Sequence, residues 1–175
     1  SIFSVVHAVL LAPFPFGEPE RVLNVYTTWQ DRPTNTSVGN FDYIRQRAST
    51  LDPLAASAFI SFNLADDDQP ERVLGLRTTA SYFQVFQVPP ALGRAYTADE
   101  DQPGRNGVVV LSHGMWQRRF GGRADALGQT LHLNGEPYHV IGVMPASFST
   151  IIDDAELLVP FAFTPERLAM YDEHF

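Results

Sequence analysis

The residues best placed to do chemistry surround Ser112. The apolar run Gly107-Val108-Val109-Val110-Leu111 leads into Ser112 and Gly114 at the start of a helical pattern, which reproduces most of a nucleophile elbow. In such an elbow a sharp strand-to-helix turn exposes a serine Oγ beside a helix N-terminus. The position two before Ser112, where a small residue relieves crowding in that strained turn, is Val110. Asp125, Asp153 and Asp154, with His132, His139 and His174, lie downstream in an order that could complete a Ser-His-Asp set, but order carries no geometry. A serine that caps its helix uses the same residues and is the reading taken, so no catalytic residue is assigned.

Metal and phosphate chemistry find less support. His132 and His139 fall on one face of a hairpin, diagonal to each other, which leaves a zinc ion short of its third and fourth ligands. Asp66-Asp67-Asp68 has the start of a calcium loop, yet Glu71 stands where the sixth position needs glycine. No two glycines are separated by a single residue, so even the first half of a dinucleotide fingerprint is missing. Metal and cofactor-binding residues are therefore expected to be none.

Composition narrows the field further. The 175 residues are 45% hydrophobic and 18% charged, enough to bury a core, and all 12 basic residues are arginine. Without lysine there is no P-loop lysine, Schiff-base lysine or kinase ATP-pairing lysine. Without cysteine there is no thiol nucleophile, cysteine-ligated metal or disulfide. A net charge of -8 with scattered arginines would repel a phosphate backbone, so no nucleic-acid partner is expected.

The elements that must position these residues follow from pattern. Ile2 to Leu11 is apolar and closed off by Pro13 and Pro15. Ten residues are half of what a bilayer requires, so this stretch is either a short buried helix or the outer end of a truncated transmembrane helix. The ends of the chain read as those of a piece cut from something longer. Arg21 to Trp29 is expected as a strand, and Gln30 to Ser37 as a polar loop. A helix capped by Asn40 should then carry Phe41, Ile44, Ala48 and Leu51 on one face. Leu54 to Leu64 and Glu71 to Arg77 should be strands flanking an acidic turn. The pentapeptide Pro19-Glu20-Arg21-Val22-Leu23 recurs as Pro70-Glu71-Arg72-Val73-Leu74, which is shared turn chemistry or a repeated strand start.

Beyond it, a short helix capped by Thr79 should carry Tyr82, Phe83 and Phe86, and Gly107 to Leu111 should be a central strand buried on both faces. Ser112 should cap a helix with Trp116 and Phe120 at i,i+4, stopped at Gly121-Gly122. Asn134-Gly135 tolerates positive φ at both turn positions, which predicts a type I′ hairpin over Gln129 to Met144. Its register puts Leu131, Leu133, Tyr138 and Val140 on one face. A strand over Leu157 to Phe163 and a helix from about Pro165 complete the series.

These segments occur in an order that resembles the MacB-like periplasmic core domain of ABC transporter permeases, in the broader MacB/FtsX group. The likeness rests on Ile2 to Leu11 with Pro13-Phe14-Pro15-Phe16, then Ser81-Tyr82-Phe83, Ala91-Leu92-Gly93-Arg94, Val109-Val110-Leu111-Ser112 and Trp116-Gln117-Arg118-Arg119-Phe120-Gly121-Gly122. Leu133 to Tyr138 and Val140 to Pro145 continue it. The chain is particularly similar to the permeases of this type found in acidobacteria and other GC-rich bacteria, some of which lack an associated ATPase.

The resemblance implies an α+β fold with mixed sheets, a porter-like α/β subdomain with a small inserted Sabre-like α/β subdomain. On that division 1–17 is the outer end of a membrane helix and its exit. Residues 18–68 begin the porter-like part, 69–150 form the insert and 151–175 return to an incomplete porter-like lobe with an unpaired sheet edge. The implied function is non-catalytic coupling of transmembrane-helix motion to export or partner binding, on the periplasmic side of the bacterial inner membrane. A permease homodimer, a cytoplasmic ATPase subunit, a periplasmic adaptor and the membrane-anchored parent chain are the implied partners. Loop aromatics such as Tyr96 and Phe148 are expected as exposed contact residues. The rival readings are a stand-alone periplasmic binding module, whose parent gene would encode no flanking membrane helices, and a serine hydrolase using Ser112.

Overall fold

The computed structural model describes residues 25, 27–29, 32–34, 36–48, 50–65, 70–148 and 155–169. The apolar opening stretch, the first copy of the repeated pentapeptide, Asp66 to Asp68, Asp153, Asp154 and His174 lie outside the described residues. Among the described residues no helix is long and apolar enough to cross a membrane.

Two short strands, β1 (Thr27–Trp29) and β2 (Arg32–Thr34), pair antiparallel with Trp29 opposite Arg32. The expected polar loop, Gln30 to Ser37, therefore holds a strand at Arg32–Thr34. Helix α1 spans Val38–Arg47 and is capped by Ser37, whose side chain accepts from the Asn40 amide at 3.3 Å. The cap was expected at Asn40. Ser37 takes the role because its extended backbone, φ -70 and ψ 156, aims its Oγ at the free amides. The helix stops at Arg47, short of the expected Leu51.

The main sheet is mixed. β3 (Ser57–Leu64) and β4 (Glu71–Thr78) are antiparallel in unbroken register, and β9 (Leu157–Pro160) runs parallel to β4. β6 (Val108–Leu111) lies between β9 and β8 (Glu136–Val143), which makes it central as expected. β7 (Thr130–Leu133) pairs β8 in the predicted hairpin register, with φ 55 at Asn134 and 85 at Gly135. A two-residue strand, β5 (Leu92–Gly93), adds to the far half of β8.

The order β8-β6-β9-β4-β3-β7 returns to β8, so the ladder closes on itself. Leu64 pairs with Leu133 at the seam, where Asn134 N donates to Asn63 O at 2.8 Å and Ala65 N to His132 O at 3.2 Å. Closure removes the exposed edges that an open sheet of this composition would present. β3 precedes and β9 follows the stretch 69–150 set apart above as the insert, and both belong to the same ladder as its strands.

Period-two alternation decides what fills the barrel. Phe62, Leu64, Val73, Leu157, Val159, Val109, Leu111, Val140, Leu131 and Leu133 form one buried cluster. Helix α3 (His113–Phe120) follows β6 and seats Met115 in that cluster, with Trp116 and Phe120 against it. Residues of the opposite parity, Leu76, Val110 and Leu158, face outward and are covered by Tyr82 and Phe86 of helix α2 (Tyr82–Phe86). A third cluster joins Phe41 of α1 to Ala56 and Phe161, with Phe163 stacked on Phe161 at 4.2 Å. Helix α4 (Pro165–Leu168) begins at Thr164, whose side chain accepts from Arg167 N at 3.4 Å. The last strand ends at Pro160, not Phe163, because Ala162 takes a left-handed backbone, φ 49.

Candidate functional site

β4 and β9 finish side by side, with Thr78 paired to Pro160, and the chain segments leaving them converge with the link between α1 and β3. At Thr79 the chain does not cap α2 as expected. Ser81 holds the cap position, and Thr79 instead accepts from Ala56 N at 3.0 Å through Oγ1 while its own amide donates to Ala56 O at 3.0 Å. The Thr79 and Ser81 hydroxyls bond at 2.9 Å, and Ser81 Oγ donates to Leu54 O at 2.7 Å. The α1-to-β3 link is thereby fixed to the end of β4.

Tyr96 reinforces the same place from behind. Its hydroxyl pairs with Thr78 Oγ1 and donates to Val159 O at 3.3 Å, joining both parallel strands at their ends. Tyr96 is 3% exposed, and burial raises its pKa. This corrects the expectation of a surface aromatic: the loop that carries Tyr96 folds its ring onto Phe83 at 4.8 Å. Phe148 is corrected in the same way, half-buried with its ring edge toward Phe86. Among the described residues the exposed aromatics are Tyr43 and Phe59. Both were legible from parity, since Tyr43 lies off the apolar face of α1 and Phe59 alternates with the inward-facing Ile60 and Phe62.

The loop between β5 and β6 supplies a carboxylate to the junction. Asp101 accepts from Ala162 N at 2.8 Å through one oxygen and from Ala80 N at 3.0 Å through the other. Desolvation raises its pKa against the pull of those amides. The neighbouring Glu100 takes both guanidinium nitrogens of Arg94 at 2.7 Å and the Thr97 amide at 3.0 Å, and these donors hold its carboxyl down at about 2. Because its folded pKa is depressed below 4.5, the clamp stabilises fully above that value and fades as pH falls toward 2. Acid titration of stability should accordingly be shallower between those limits in Glu100→Gln than in the parent.

Beside the junction lies a groove of about 600 Å³ between α1 and the start of α2, floored by Phe41, Leu54 and Phe163 with Arg45, Gln84 and Asp101 on its walls. At the other end of the barrel Arg118 of α3 joins Glu71 at the start of β4, at 2.7 Å, and Glu156 just before β9. Both parallel strands are thus tied at each end, by ions at one and by neutral hydrogen bonds and a carboxylate at the other.

Among the described residues the buried Tyr82 hydroxyl has no hydrogen-bond partner. An orphaned buried hydroxyl costs free energy that its removal restores. Tyr82→Phe should make the protein about 1 kcal/mol more stable in denaturant titration, whereas a comparable loss would mean that the hydroxyl is engaged.

The residues singled out for chemistry are spread apart. Ser112 caps α3, its Oγ accepting from Met115 N at 3.1 Å and its amide donating to Glu156 O at 2.8 Å. His139 is level with Val108 in the parallel pair, about 13 Å back along the strand from Ser112. Asp125 pairs with Arg123 at 3.1 Å, and His139 Nδ1 meets Thr130 Oγ1 at 3.1 Å. His132 faces outward from the same hairpin, and among the described residues no group of three His, Asp or Glu could hold a metal. Ser112→Ala should cost about 1 kcal/mol of stability through the lost cap and leave any binding property intact; ester turnover abolished by it would revive the nucleophile.

Comparison with known proteins extends this picture. Residues 1–174 match the family model described as the MacB-like periplasmic core domain. The pyoverdine export ATP-binding/permease protein PvdT of Pseudomonas syringae pv. tomato (strain ATCC BAA-871 / DC3000) is 30% identical over 87 residues, which is 48% of this chain and 13% of that protein. The periplasmic region of MacB from Actinobacillus actinomycetemcomitans has a similar fold, with a TM-score of 0.60 and 22% identity over 73% of this chain and 56% of that one. The extracellular domain of the noncanonic ABC-type transporter YknZ from Gram-positive bacteria also scores 0.60, with 20% identity over 78% and 70% of the two chains. The chain therefore spans about an eighth of the curated relative and about half to two thirds of the solved domains.

Proposed function

The chain belongs to the family of MacB-like periplasmic core domains, and from that membership we propose that it is a non-catalytic lever outside the membrane, part of an ABC transporter permease. Membrane helices of the parent chain, rooted before and after this domain, move α1 and α4, and the junction passes that displacement to the barrel. The barrel then opens or closes against a second copy of the permease or a periplasmic adaptor. Any ATP hydrolysis takes place on a cytoplasmic subunit, and the domain lies on the periplasmic side of the inner membrane. The name of PvdT, an export ATP-binding/permease protein, supports export as the direction of transport.

The observation that carries the reading is how the polar groups of the junction are used. Thr78, Thr79, Ser81, Tyr96 and Asp101 all spend their side chains on binding one chain segment to another. While these bonds hold, the junction passes displacement from one segment to the next. The division into two lobes also belongs to the proposal. The pairing of β3 and β9 with β4 supports boundaries near Ala56 and Phe161, so that the barrel is the inserted lobe and the α1, α4 and Phe163 cluster belongs to the porter-like one.

The test is uncoupling. Thr79→Val keeps the side chain's shape and removes the acceptor for Ala56 N. In vesicles holding the parent transporter, export should fall about tenfold, equivalent to some 1.4 kcal/mol of lost coupling, while ATP hydrolysis continues. Thr79→Ser, which keeps the hydroxyl, should retain export. Undiminished export in Thr79→Val would overturn the proposal.

A further inference from the structure

We propose that Asp101 is a clasp holding a strained hinge at Ala162, and that its opening frees the body carrying α1 and α4 to swing against the barrel. The inference rests on the lever reading and adds the point at which the lever yields. Ala162 lies between the end of β9 and the cap of α4, the place where the chain passes from barrel to body. Its φ of 49 is left-handed, a conformation in which a Cβ crowds the following carbonyl and which persists only where surroundings impose it. What imposes it is the Asp101 carboxylate, 2.8 Å from the Ala162 amide. The other oxygen of the same group holds Ala80 at 3.0 Å, so one side chain fixes the exits of both β4 and β9.

Two further features fit a clasp better than a plain structural bond. The loop bearing Asp101 is independently braced, by the Arg94 to Glu100 pair and by Asp101 N donating to Thr97 O at 3.1 Å; the clasp can therefore open without the loop unravelling. The groove of about 600 Å³ lies directly alongside, leaving room for α1 to move relative to α2. The same carboxylate is half-buried, and desolvation raises its pKa against the amides that hold it; the geometry at Ala80 and Ala162 carries the clasp.

Amide hydrogen exchange in the 175-residue chain tests this residue by residue. In Asp101→Asn only one side-chain oxygen remains to accept, and the amide nitrogen cannot replace the other. Exchange at Ala80 and Ala162 should accelerate on the order of tenfold, while Val110 and Leu158 in the barrel keep their protection. Ala162→Gly removes the strain and keeps the clasp, so the amide at position 162 should exchange more slowly than in the parent. Unchanged protection at both Ala80 and Ala162 in Asp101→Asn overturns the proposal, as does a uniform loss across the barrel, which marks a merely structural bond. If Asp101→Asn fails to fold, Ala162→Gly still decides, since faster exchange at position 162 contradicts a strained hinge. Transport is not measured, so failure here leaves the lever reading intact, and loss of coupling in the Thr79 variants is unaffected by the outcome.

Discussion

Phe62→Ala should lower the stability of the chain by about 3–5 kcal/mol. Phe62 is 2% exposed at the centre of the barrel interior and touches Tyr138 edge-on at 6.2 Å. Its partner directly across the strand pair is the buried Val73. Gly75 stands in the same inward row of β4, and a Cβ there would come within 2.8 Å of the Phe62 ring and 2.6 Å of Leu157. The ring therefore fills space that Gly75 leaves open, and its removal leaves a cavity in the interior. Against a total stability of about 5–15 kcal/mol for a domain, the loss places the variant near unfolding, and its thermal midpoint should drop by roughly 10 °C or more. A midpoint within a degree or two of the parent's would mean that the barrel interior is not a continuous core.

The second large effect is expected at Gly142. β8 departs from regular pairing with β6 between Val109 and Val110, which leaves Ile141 unmatched, and β5 comes in against this irregularity with Gly93 opposite Gly142. A Cβ on Gly142 would sit 2.2 Å from the carbonyl oxygen of Arg94, and one on Gly93 would sit 2.2 Å from that of Ile141. These obstacles are backbone atoms with no rotamer to change. Gly142→Ala should consequently cost about 3 kcal/mol or more. The damage should also be local, since β5 must leave β8. Exchange protection of the Arg94 amide, which donates to Ile141 O at 2.9 Å, should be lost before that of Val109 or Leu157. Retention of that protection in Gly142→Ala would show that β5 accommodates a methyl group.

Legibility of the fold in the sequence followed how local each determinant is. The Asn134-Gly135 hairpin, its register and its buried face follow from turn chemistry and a period of two, so the ladder matches expectation residue by residue. Ser112 as the α3 cap and the doubly buried β6 rest on equally local signals. Barrel closure is not local. It depends on Leu64 meeting Leu133 across 69 residues of chain, and on glycines at positions 75, 93 and 142 whose meaning emerges only when the facing strand is known. The caps at Asn40 and Thr79 failed for a related reason: each helix start offers several polar residues, and the choice among them is made by backbone direction and by a distant acceptor or donor. For Thr79 that partner is Ala56.

The junction was hidden for the same physical cause. Thr79, Ser81 and Asp101 look in the sequence like a cap, its neighbour and a loop acid, and Tyr96 like a surface aromatic. Their common purpose depends on β4 and β9 ending together, a parallel pairing of strands about eighty residues apart. The family was legible through the order of motifs, which the family model matches over residues 1–174.

The central claim is that this domain is moved as a lever, and the most direct measurement is a distance between two copies of it. The chain has no cysteine, so Glu136→Cys on the exposed hairpin tip places one label site in each copy of the domain, and in the parent transporter any cysteine outside the domain is first replaced by serine. Pulsed electron resonance should yield one distance distribution without nucleotide and a displaced one with nucleotide bound. Superimposable distributions in the two states would contradict the account.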